Sequence, residues 1–304
     1  MCSDTGAKDP AKSAHCIIFT VHNDADRLEH SLSLLTKLTQ SHDVRCVIVN
    51  DGSTDRSADV LSYFMALHPE FDRSSVTATL HFRQGITAAL SEGLKLTQSR
   101  YVMFTTPESI PTTADFAALA DAAESRQCDI VCSHLSTRHP DLNRMSIARG
   151  DFNLHGKLIS RDLLLAADAV APPLLSDIWH HINIIARVFA LCTPDRVAVI
   201  RRGSSPIPLH SYTPEIKQHL LLAMLIDNWF DEHGLTERFS PFLLQMKFMA
   251  KAPLMYTADN RFTLWRNTFA EVNARVLRIP GIPLGERLRA WFLLHTPRQF
   301  NAST

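Results

Sequence analysis

The chain has 304 residues, 45% of them hydrophobic, and its 31 basic and 31 acidic side chains give a formal net charge of zero. Nucleic-acid-binding domains are usually strongly basic, so this balance argues against a DNA or RNA partner. The length and the apolar content predict either one large domain with an appendage or two domains.

The first 14 residues carry charges at Asp4, Lys8, Asp9 and Lys12 and contain no apolar segment, so no signal peptide is predicted. We expect this tail, residues 1–14, to be disordered. No apolar run approaches the roughly 18 to 20 residues that span a bilayer. These features predict a cytoplasmic location. The six cysteines are spread through predicted strands and their flanks and do not form a disulfide framework, so we expect them to be reduced and buried.

The chain opens with two predicted strand–helix units. The run from His15 to Thr20 (HCIIFT) is short and apolar, and the run from Val44 to Val49 is mostly β-branched and apolar. Such runs are typical of strands that are covered on both faces of a parallel sheet. The helix after the first strand has leucines at helical spacing, namely Leu28, Leu32, Leu35 and Leu38.

The sequence VNDGSTD ends the second strand with a carboxylate and turns directly into a helix. Gly52 permits a tight turn, and Ser53 or Thr54 is expected to cap a helix that starts near Asp55. Ligands of open α/β sheets lie at the carboxyl ends of strands, so Asp51 is expected to hydrogen-bond a base or a ribose there. The alternative is a strand, a turn and a helix cap that bind no ligand.

Together the two units resemble the start of family 2 glycosyltransferases, which are inverting nucleotide-sugar enzymes of the GT-A fold. The first strand of that family usually ends in P/T-x-Y-N and the second in (N/D)-D-G-S-x-D. Thr20, His22 and Asn23 match the first motif, with His22 in place of the tyrosine, and residues 50–55 match the second without gaps. The resemblance implies that Thr20, His22 and Asp51 hold the nucleobase, most often uracil, and it places Asn23 in the same donor site.

Further segments continue the resemblance in order, so that it covers residues 15–210. The stretch that begins at Gly85 is similar to the family's G-x-x-x-A-R-N-x-G-L segment, and it adds Gly85 to the donor-binding residues. The resemblance implies a GT-A fold, with a mixed, mainly parallel sheet and flanking helices. Residues 101–104 resemble the strand that precedes the family's metal motif. Three further segments resemble ones that are common in polysaccharide-building members, namely 156–164, 176–179 and 201–205.

The family usually ends its fourth strand with F-L-D-x-D-D, whose carboxylates hold the ribose and a Mn²⁺ or Mg²⁺ ion. Here Thr106, Glu108 and Ser109 occupy the aspartate positions. The resemblance therefore makes Glu108 the expected metal ligand, with His210 as a second ligand, and Thr106 a donor-binding residue. Without a metal, the side chains of Arg201 and Arg202 are the candidate clamps for the diphosphate, because guanidinium pairs with phosphate oxygens.

An inverting transferase needs a base that deprotonates the acceptor hydroxyl. The sequence Ser176–Trp179 (SDIW) lies where polysaccharide-building members carry E-D-x-(W/F), and the resemblance makes Asp177 the candidate. An apolar helical run follows Asp177, so it is expected near a helix N-terminus, where the dipole keeps a carboxylate ionised. The alternative is that Ser176 or Asp177 is simply the helix cap.

After residue 210 the pattern becomes helical, and residues 211–304 are predicted to form a helical C-terminal region. The last predicted helix mixes basic and aromatic residues, as in helices that lie on a membrane surface, where lipid-linked acceptors are found. The alternative is that Trp291 and Leu294 pack into the core or into a dimer interface. Four helices are predicted here. The first runs from Thr213 to near Gly234, the second starts at Ser240, the third spans 259–278 and the fourth spans Leu284–His295.

The sequence therefore predicts a glycosyltransferase that moves a sugar from a nucleotide-sugar donor, a UDP-sugar by resemblance, to a glycan or lipid-linked glycan in surface polysaccharide synthesis. One alternative is a pseudo-glycosyltransferase that binds a nucleotide or a partner enzyme. The missing motif aspartates favour it, whereas Asp51 and Asp177 argue against it. A nucleotidyltransferase would need a glycine-rich loop after the first strand, and Thr20–Arg27 contains no glycine.

Overall fold

The computed structural model describes residues 13–137, 140–145, 151–170, 177–203, 216–256 and 261–295. These residues form two compact units, and the second unit contains residues 141–145 together with the helices after residue 215. The sequence placed 141–145 in the first domain. Asn143 attaches this segment to the second unit, because its side-chain amide donates to the Arg238 carbonyl and its Oδ1 accepts the Phe242 N–H, both at 3.2 Å.

A seven-stranded mixed sheet forms the centre of the first unit. Its strands are β1 (His15–Val21), β2 (Val44–Asn50), β3 (Ser75–Thr79), β4 (Tyr101–Thr105), β5 (Ile130–Leu135), β6 (Lys157–Ser160) and β7 (Val197–Arg202). They lie in the order β3-β2-β1-β4-β6-β5-β7. Strand β6 is antiparallel to both of its neighbours, and the other pairs are parallel. The mixed, mainly parallel sheet predicted from the sequence is confirmed.

Helices flank this sheet. Those of the first unit are α1 (Ala25–Ser41), α2 (Ser57–Leu67), α3 (Pro69–Asp72), α4 (Ile86–Lys95), α5 (Thr113–Ser125), α6 (Arg161–Ala166) and α7 (Asp177–Leu191). Helices α1, α2 and α5 share one hydrophobic core with β1, β2 and β4. The predicted leucine stripe of α1 is confirmed, since Leu28, Leu32, Leu35 and Leu38 are at most 1% exposed.

The strand register brings the ends of three strands to one edge of the sheet. Val21 of β1 pairs with Asn50 of β2, and Phe19 of β1 pairs with Thr105 of β4. The loops that follow β1, β2 and β4 therefore start side by side. Ligands of open α/β sheets bind at this carboxyl edge, so the register determines where a site can form.

The second unit is helical. It contains α8 (Ile216–Glu232), α9 (Ser240–Lys251), α10 (Arg261–Asn267) and α11 (Leu284–His295), with 3₁₀ segments at Leu142–Arg144, Ala252–Tyr256 and Ala270–Arg278. The predicted helix start at Ser240 and the predicted helix Leu284–His295 are confirmed. The predicted start at Thr213 lies outside the described residues.

The single helix predicted over 259–278 is wrong. Helix α10 ends at Asn267, and Phe269, with a φ of 46°, is the N-cap of the 3₁₀ segment that follows. The buried Lys251 donates to the carbonyls of Thr268 and Phe269 at 2.9 and 3.3 Å and to Asn273 Oδ1 at 2.6 Å. These contacts satisfy carbonyls at the break, and burial lowers the pKa of Lys251 to about 8. Apolar periodicity does not reveal such a cap.

Two further features concern the cysteines and the membrane. The five cysteines in the described part of the chain are free and buried, as predicted. Burial raises the pKa of Cys16 and of Cys132 to about 11. Within the described ranges, no helix combines the length and the apolarity that a bilayer crossing requires.

Candidate functional site

The loops after β1 and β2 are locked together by hydrogen bonds. Asn23 Oδ1 accepts the N–H groups of Thr54 and Asp55 at 2.8 and 3.4 Å. In return, the Asn23 N–H donates to Ser53 Oγ and the Ala25 N–H donates to Asp55 Oδ2, both at 3.1 Å. Asn23 has a φ of 53°, a conformation that asparagine adopts more readily than most residues. The Asn23 side chain, predicted to bind the donor, is therefore engaged in holding the two loops.

This lock also explains why the helix after the second strand begins later than predicted. Helix α2 starts at Ser57 and not near Asp55, and its N-cap residue Arg56 makes no side-chain capping bond. The Ser57 N–H donates instead to Asp55 Oδ1 at 2.9 Å. The prediction that Ser53 or Thr54 caps the helix is wrong, because Ser53 Oγ accepts from the β1 loop.

Asp51 directly follows β2 and is only 3% exposed. Its Oδ1 accepts the Gln84 N–H at 2.7 Å, and its Oδ2 accepts the Gly85 N–H at 2.9 Å. Gly85 has a φ of 95°, which a residue with a Cβ adopts only under strain. A carboxylate has about four acceptor positions, so about two remain for a ligand. Asp51 is thus a fixed acceptor at the ligand-binding edge of the sheet.

His22 and Gly52 fix the surroundings of Asp51. His22 Nδ1 lies 2.7 Å from the Asp51 carbonyl oxygen, which can only accept, so Nδ1 carries the proton. A Cβ on Gly52 would lie 2.3 Å from the Phe82 carbonyl carbon, and the φ of Gly52 is 58°. The loop that contains Phe82, Gln84 and Gly85 therefore packs directly against this glycine, and the DGS turn needs glycine for space as well as for conformation.

The end of β4 carries hydroxyl groups that bond one another. Ser109 Oγ lies 2.9 Å from Thr105 Oγ1 and 3.1 Å from Thr106 Oγ1, and it accepts the Thr106 N–H at 2.8 Å. Ser109 is 8% exposed. These neutral groups stand where the family resemblance leads us to expect carboxylates. Thr106, a predicted donor-binding residue, lies at the same edge of the sheet as Asp51.

Two histidines that the sequence analysis did not assign to the site lie beside these hydroxyl groups. His155 Nδ1 lies 3.3 Å from Ser109 Oγ and 3.3 Å from the Phe104 carbonyl. The His155 ring lies 5.8 Å from the ring of His181, measured between centroids. His181 follows Asp177, the first residue of α7, by one helical turn. The start of α7 is therefore close to the end of β4, while the Asp177 side chain lies outside the described part.

Arg27, in the first turn of α1, bridges the loops after β1 and β4. Its Nη2 lies 2.6 Å from Asp24 Oδ1, and its Nη1 lies 2.7 Å from Glu108 Oε1. Arg27 and Glu108 are separated by 81 positions in the chain, so no local sequence pattern signals their pairing. Glu108, the expected metal ligand, is engaged with this cation. The described ranges contain no group of three or more side chains that could hold a metal.

The structure does not bring Arg201 and Arg202 together with Asp51. Both lie at the end of β7, five strand positions from β2, which Asp51 follows, or about 24 Å at ordinary strand spacing. The Arg201 Nη2 pairs with Asp115 Oδ1 at 2.8 Å. His210, the other predicted metal ligand, lies outside the described residues.

The first unit thus combines a mixed α/β sheet with a buried carboxylate, hydroxyl groups and histidines around one edge of that sheet. The fold matches that of the GT-A glycosyltransferases, and ligands of open α/β sheets bind at this edge. The chain belongs to the family named Glycosyl transferase family 2, whose sequence profile matches residues 16–188, more than half of its length.

Known proteins similar to this chain agree with that assignment. The uncharacterized glycosyltransferase EpsJ of Bacillus subtilis (strain 168) is 28% identical over 116 residues, which are 38% of this chain and about a third of EpsJ. Residues 1–349 of S. aureus TarS in complex with UDP-GlcNAc superimpose with a TM-score of 0.59 and 15% identity, covering 88% of this chain and 81% of that one. The same fragment with UDP gives 0.56 and 14%, with coverages of 92% and 88%. At such identities the likeness concerns the fold.

Proposed function

We propose that this family 2 glycosyltransferase transfers a sugar from a UDP-sugar to a glycan acceptor, with inversion at the anomeric carbon. The observation that carries the proposal is the buried carboxylate of Asp51, held by two loop N–H groups at the carboxyl edge of the sheet. Its remaining acceptor positions suit the N–H of a base or the hydroxyl of a ribose. TarS binds UDP-GlcNAc and UDP and has a similar fold, which makes uracil the first donor base to test.

The donor residues of this proposal come from adjacent strand ends. Thr20 pairs with Val49, two positions before Asp51, and His22 is fixed by its bond to the Asp51 carbonyl. Thr20, His22 and Asp51 are therefore proposed to surround the base. Gly85 and Thr106, from the two flanking loops, are proposed to contact the rest of the nucleotide.

The acceptor side of the proposal uses Asp177 as the general base. The acceptor hydroxyl loses its proton to the Asp177 carboxylate while its oxygen bonds to the anomeric carbon, and the bond between that carbon and the phosphate oxygen breaks. The products are the glycosylated acceptor, UDP and a protonated Asp177, which returns its proton to solvent. Capsule or other surface polysaccharide synthesis is the proposed setting.

A pseudo-glycosyltransferase is the second candidate, and the hydroxyl network at Thr106 and Ser109 favours it, since neutral groups replace charged ones. Turnover distinguishes an active transferase from a pseudo-glycosyltransferase. We expect titration calorimetry to detect binding of UDP and of at least one UDP-sugar, and chromatography to detect UDP released from that sugar with a glycan acceptor. CDP and GDP serve as controls for the base. Binding without any turnover across a panel of acceptors would support the pseudoenzyme, and no binding of any uridine nucleotide would contradict the proposed donor.

The last helix supports a second proposal, that the protein binds peripherally to the inner face of an anionic membrane, near lipid-linked acceptors. Leu284, Leu288 and Phe292 of α11 recur every four residues on one face and are 58%, 39% and 54% exposed. Residues 261–295 contain six arginines and two glutamates as their only charged residues other than histidine, a net charge of +4 in a chain whose total is zero. An apolar stripe within a basic segment is typical of helices that bind anionic lipid.

Replacing both Leu288 and Phe292 by serine should weaken vesicle binding by at least tenfold, because each side chain would otherwise bury apolar area in the lipid. Co-sedimentation with phosphatidylglycerol vesicles measures this, and neutral phosphatidylcholine vesicles should bind less. The matched control is Met224→Ser, which removes a 51% exposed apolar side chain from α8. Equal sedimentation of the double variant and the wild type would contradict the proposal. A dimer that dissociates in the double variant would assign α11 to a dimer interface instead.

A further inference from the structure

The guanidinium of Arg27 lies against the carboxylate that the family resemblance assigns to a metal. It contacts Asp24 at 2.6 Å and Glu108 at 2.7 Å, one partner on each terminal nitrogen. The hydrogen bonds that the guanidinium donates to Glu108 and to Asp24 raise the pKa of Arg27 further above its ordinary value, so it remains charged. The Arg27 side chain is 57% exposed. The cation is thus held in place by two loops of the site and remains open to solvent.

The residues present do not fit a hard divalent cation, which requires several oxygen ligands. Glu108 and Asp24 are engaged with Arg27. Asp51, whose oxygens each accept a loop N–H, is assigned to the base or ribose of the donor in the function proposed above, and Ser109 supplies a neutral hydroxyl within its own network. The part of the chain that the structure describes holds no cluster of three potential ligands. Among the described side chains, a cation of the protein itself is the group suited to neutralise the charge of a departing diphosphate.

We infer that Arg27 binds the diphosphate of the donor and that donor binding requires no divalent metal; this inference rests on the nucleotide-sugar transferase function proposed above. A guanidinium carries five N–H donors, and its two carboxylate contacts leave three. Its planar geometry matches two phosphate oxygens at once. When the bond between the anomeric carbon and the phosphate oxygen breaks, negative charge grows on UDP, and a fixed cation beside it stabilises that charge.

Asp24 and Glu108 are positioning residues in this arrangement. They hold the guanidinium at the junction of the β1 and β4 loops, so less conformational entropy is lost when phosphate binds. They also reduce the positive potential around Arg27, which limits its contribution. We therefore expect Arg27 to strengthen UDP binding about tenfold, as for one charge-assisted hydrogen-bonded contact.

The test compares UDP with uridine, because only UDP carries the diphosphate. Protein treated with EDTA is titrated with both ligands, with and without Mn²⁺, as the wild type and as Arg27→Gln. The control is Lys37→Gln, which removes the same charge from an exposed position of the same helix, about 15 Å further along. Arg27 and Glu108 are largely exposed, and a glutamine can still donate to the less exposed Asp24, so Arg27→Gln should fold and melt within about 2 °C of the wild type.

The wild type is expected to bind UDP equally well with and without Mn²⁺. Arg27→Gln should weaken UDP binding about tenfold and leave uridine binding unchanged, and Lys37→Gln should change neither. The inference is overturned if Mn²⁺ strengthens UDP binding tenfold or more, or if Arg27→Gln keeps the wild-type ratio of UDP to uridine affinity. Absence of both uridine and UDP binding in the wild type would instead contradict the proposed donor and remove this inference with it.

Discussion

Replacing Asp51 by asparagine should lower the free energy of unfolding by about 2 kcal/mol and weaken UDP binding at least tenfold. Each Asp51 carboxylate oxygen accepts one loop N–H, from Gln84 at 2.7 Å and from Gly85 at 2.9 Å. An asparagine has one acceptor oxygen and one amide nitrogen, so one of these N–H groups would meet a donor. The loop that carries Gln84 and Gly85 would then be displaced, and the proposed base pocket would lose its anionic acceptor.

Urea unfolding measures the first effect of Asp51→Asn, and calorimetric titration with UDP measures the second. The matched control is Asp121→Asn, the same change at an exposed carboxylate of α5 in the same unit. The control should stay within about 0.5 kcal/mol of the wild type. If Asp51→Asn loses stability but binds UDP as tightly as the wild type does, Asp51 supports the loop without contacting the nucleotide, and the base pocket proposed here is wrong.

The features predicted from the sequence are those that depend on short stretches of chain. Apolar runs and a turn signature within a few residues predict the first two strands, the leucine stripe of α1 and the location of Asp51 directly after β2. The mixed sheet follows from the family resemblance. The glycine at position 52 is required locally by its φ of 58°, but the reason it also tolerates no Cβ, the approach of Phe82, comes from a distant loop.

The parts of the site that were not predicted depend on contacts between distant positions. Arg27 and Glu108 are 81 positions apart, and Arg201 and Asp115 are 86 apart. The sequence alone predicts that each arginine is an exposed cation, and only the fold shows which carboxylate it pairs with. His155 reaches Ser109 across 46 positions in the same way. Charge and motif position can nominate such residues, whereas their pairing is determined by the tertiary structure.

The helix breaks were missed for a related reason. Ser57 rather than Asp55 starts α2, because Ser53 and Asp55 bond to the β1 loop instead of acting only within their own turn. The break between α10 and the 3₁₀ segment lies at Phe269, beside the buried amine of Lys251, which is 18 positions away. Side-chain capping by residues from another element competes with the local helix propensity. A pattern in a single sequence reports only the propensity, so it cannot give the residue at which the helix begins or ends.

Replacing Asp177 by asparagine should lower kcat by a factor of roughly 10² to 10⁴, the usual contribution of a general base, while UDP affinity stays within about twofold. Asp177 is the first residue of α7, one turn before His181, and the His181 ring lies 5.8 Å from the ring of His155 at the end of β4. This end of α7 is therefore close to the strand end from which the donor residue Thr106 is proposed to act. An amide has nearly the size of a carboxylate but accepts no proton.

The measurement is steady-state turnover as a function of pH, with Asp162→Asn as the control, since Asp162 is an exposed carboxylate in the first turn of α6. In the wild type, kcat should fall as the pH drops and the base becomes protonated, whereas Asp177→Asn should lose this acidic limb. A helix cap would behave differently, because its loss lowers stability by about 1 kcal/mol and leaves the pH profile of the folded enzyme unchanged. Unaltered turnover and an unaltered profile in Asp177→Asn would therefore assign Asp177 to the cap and require another base.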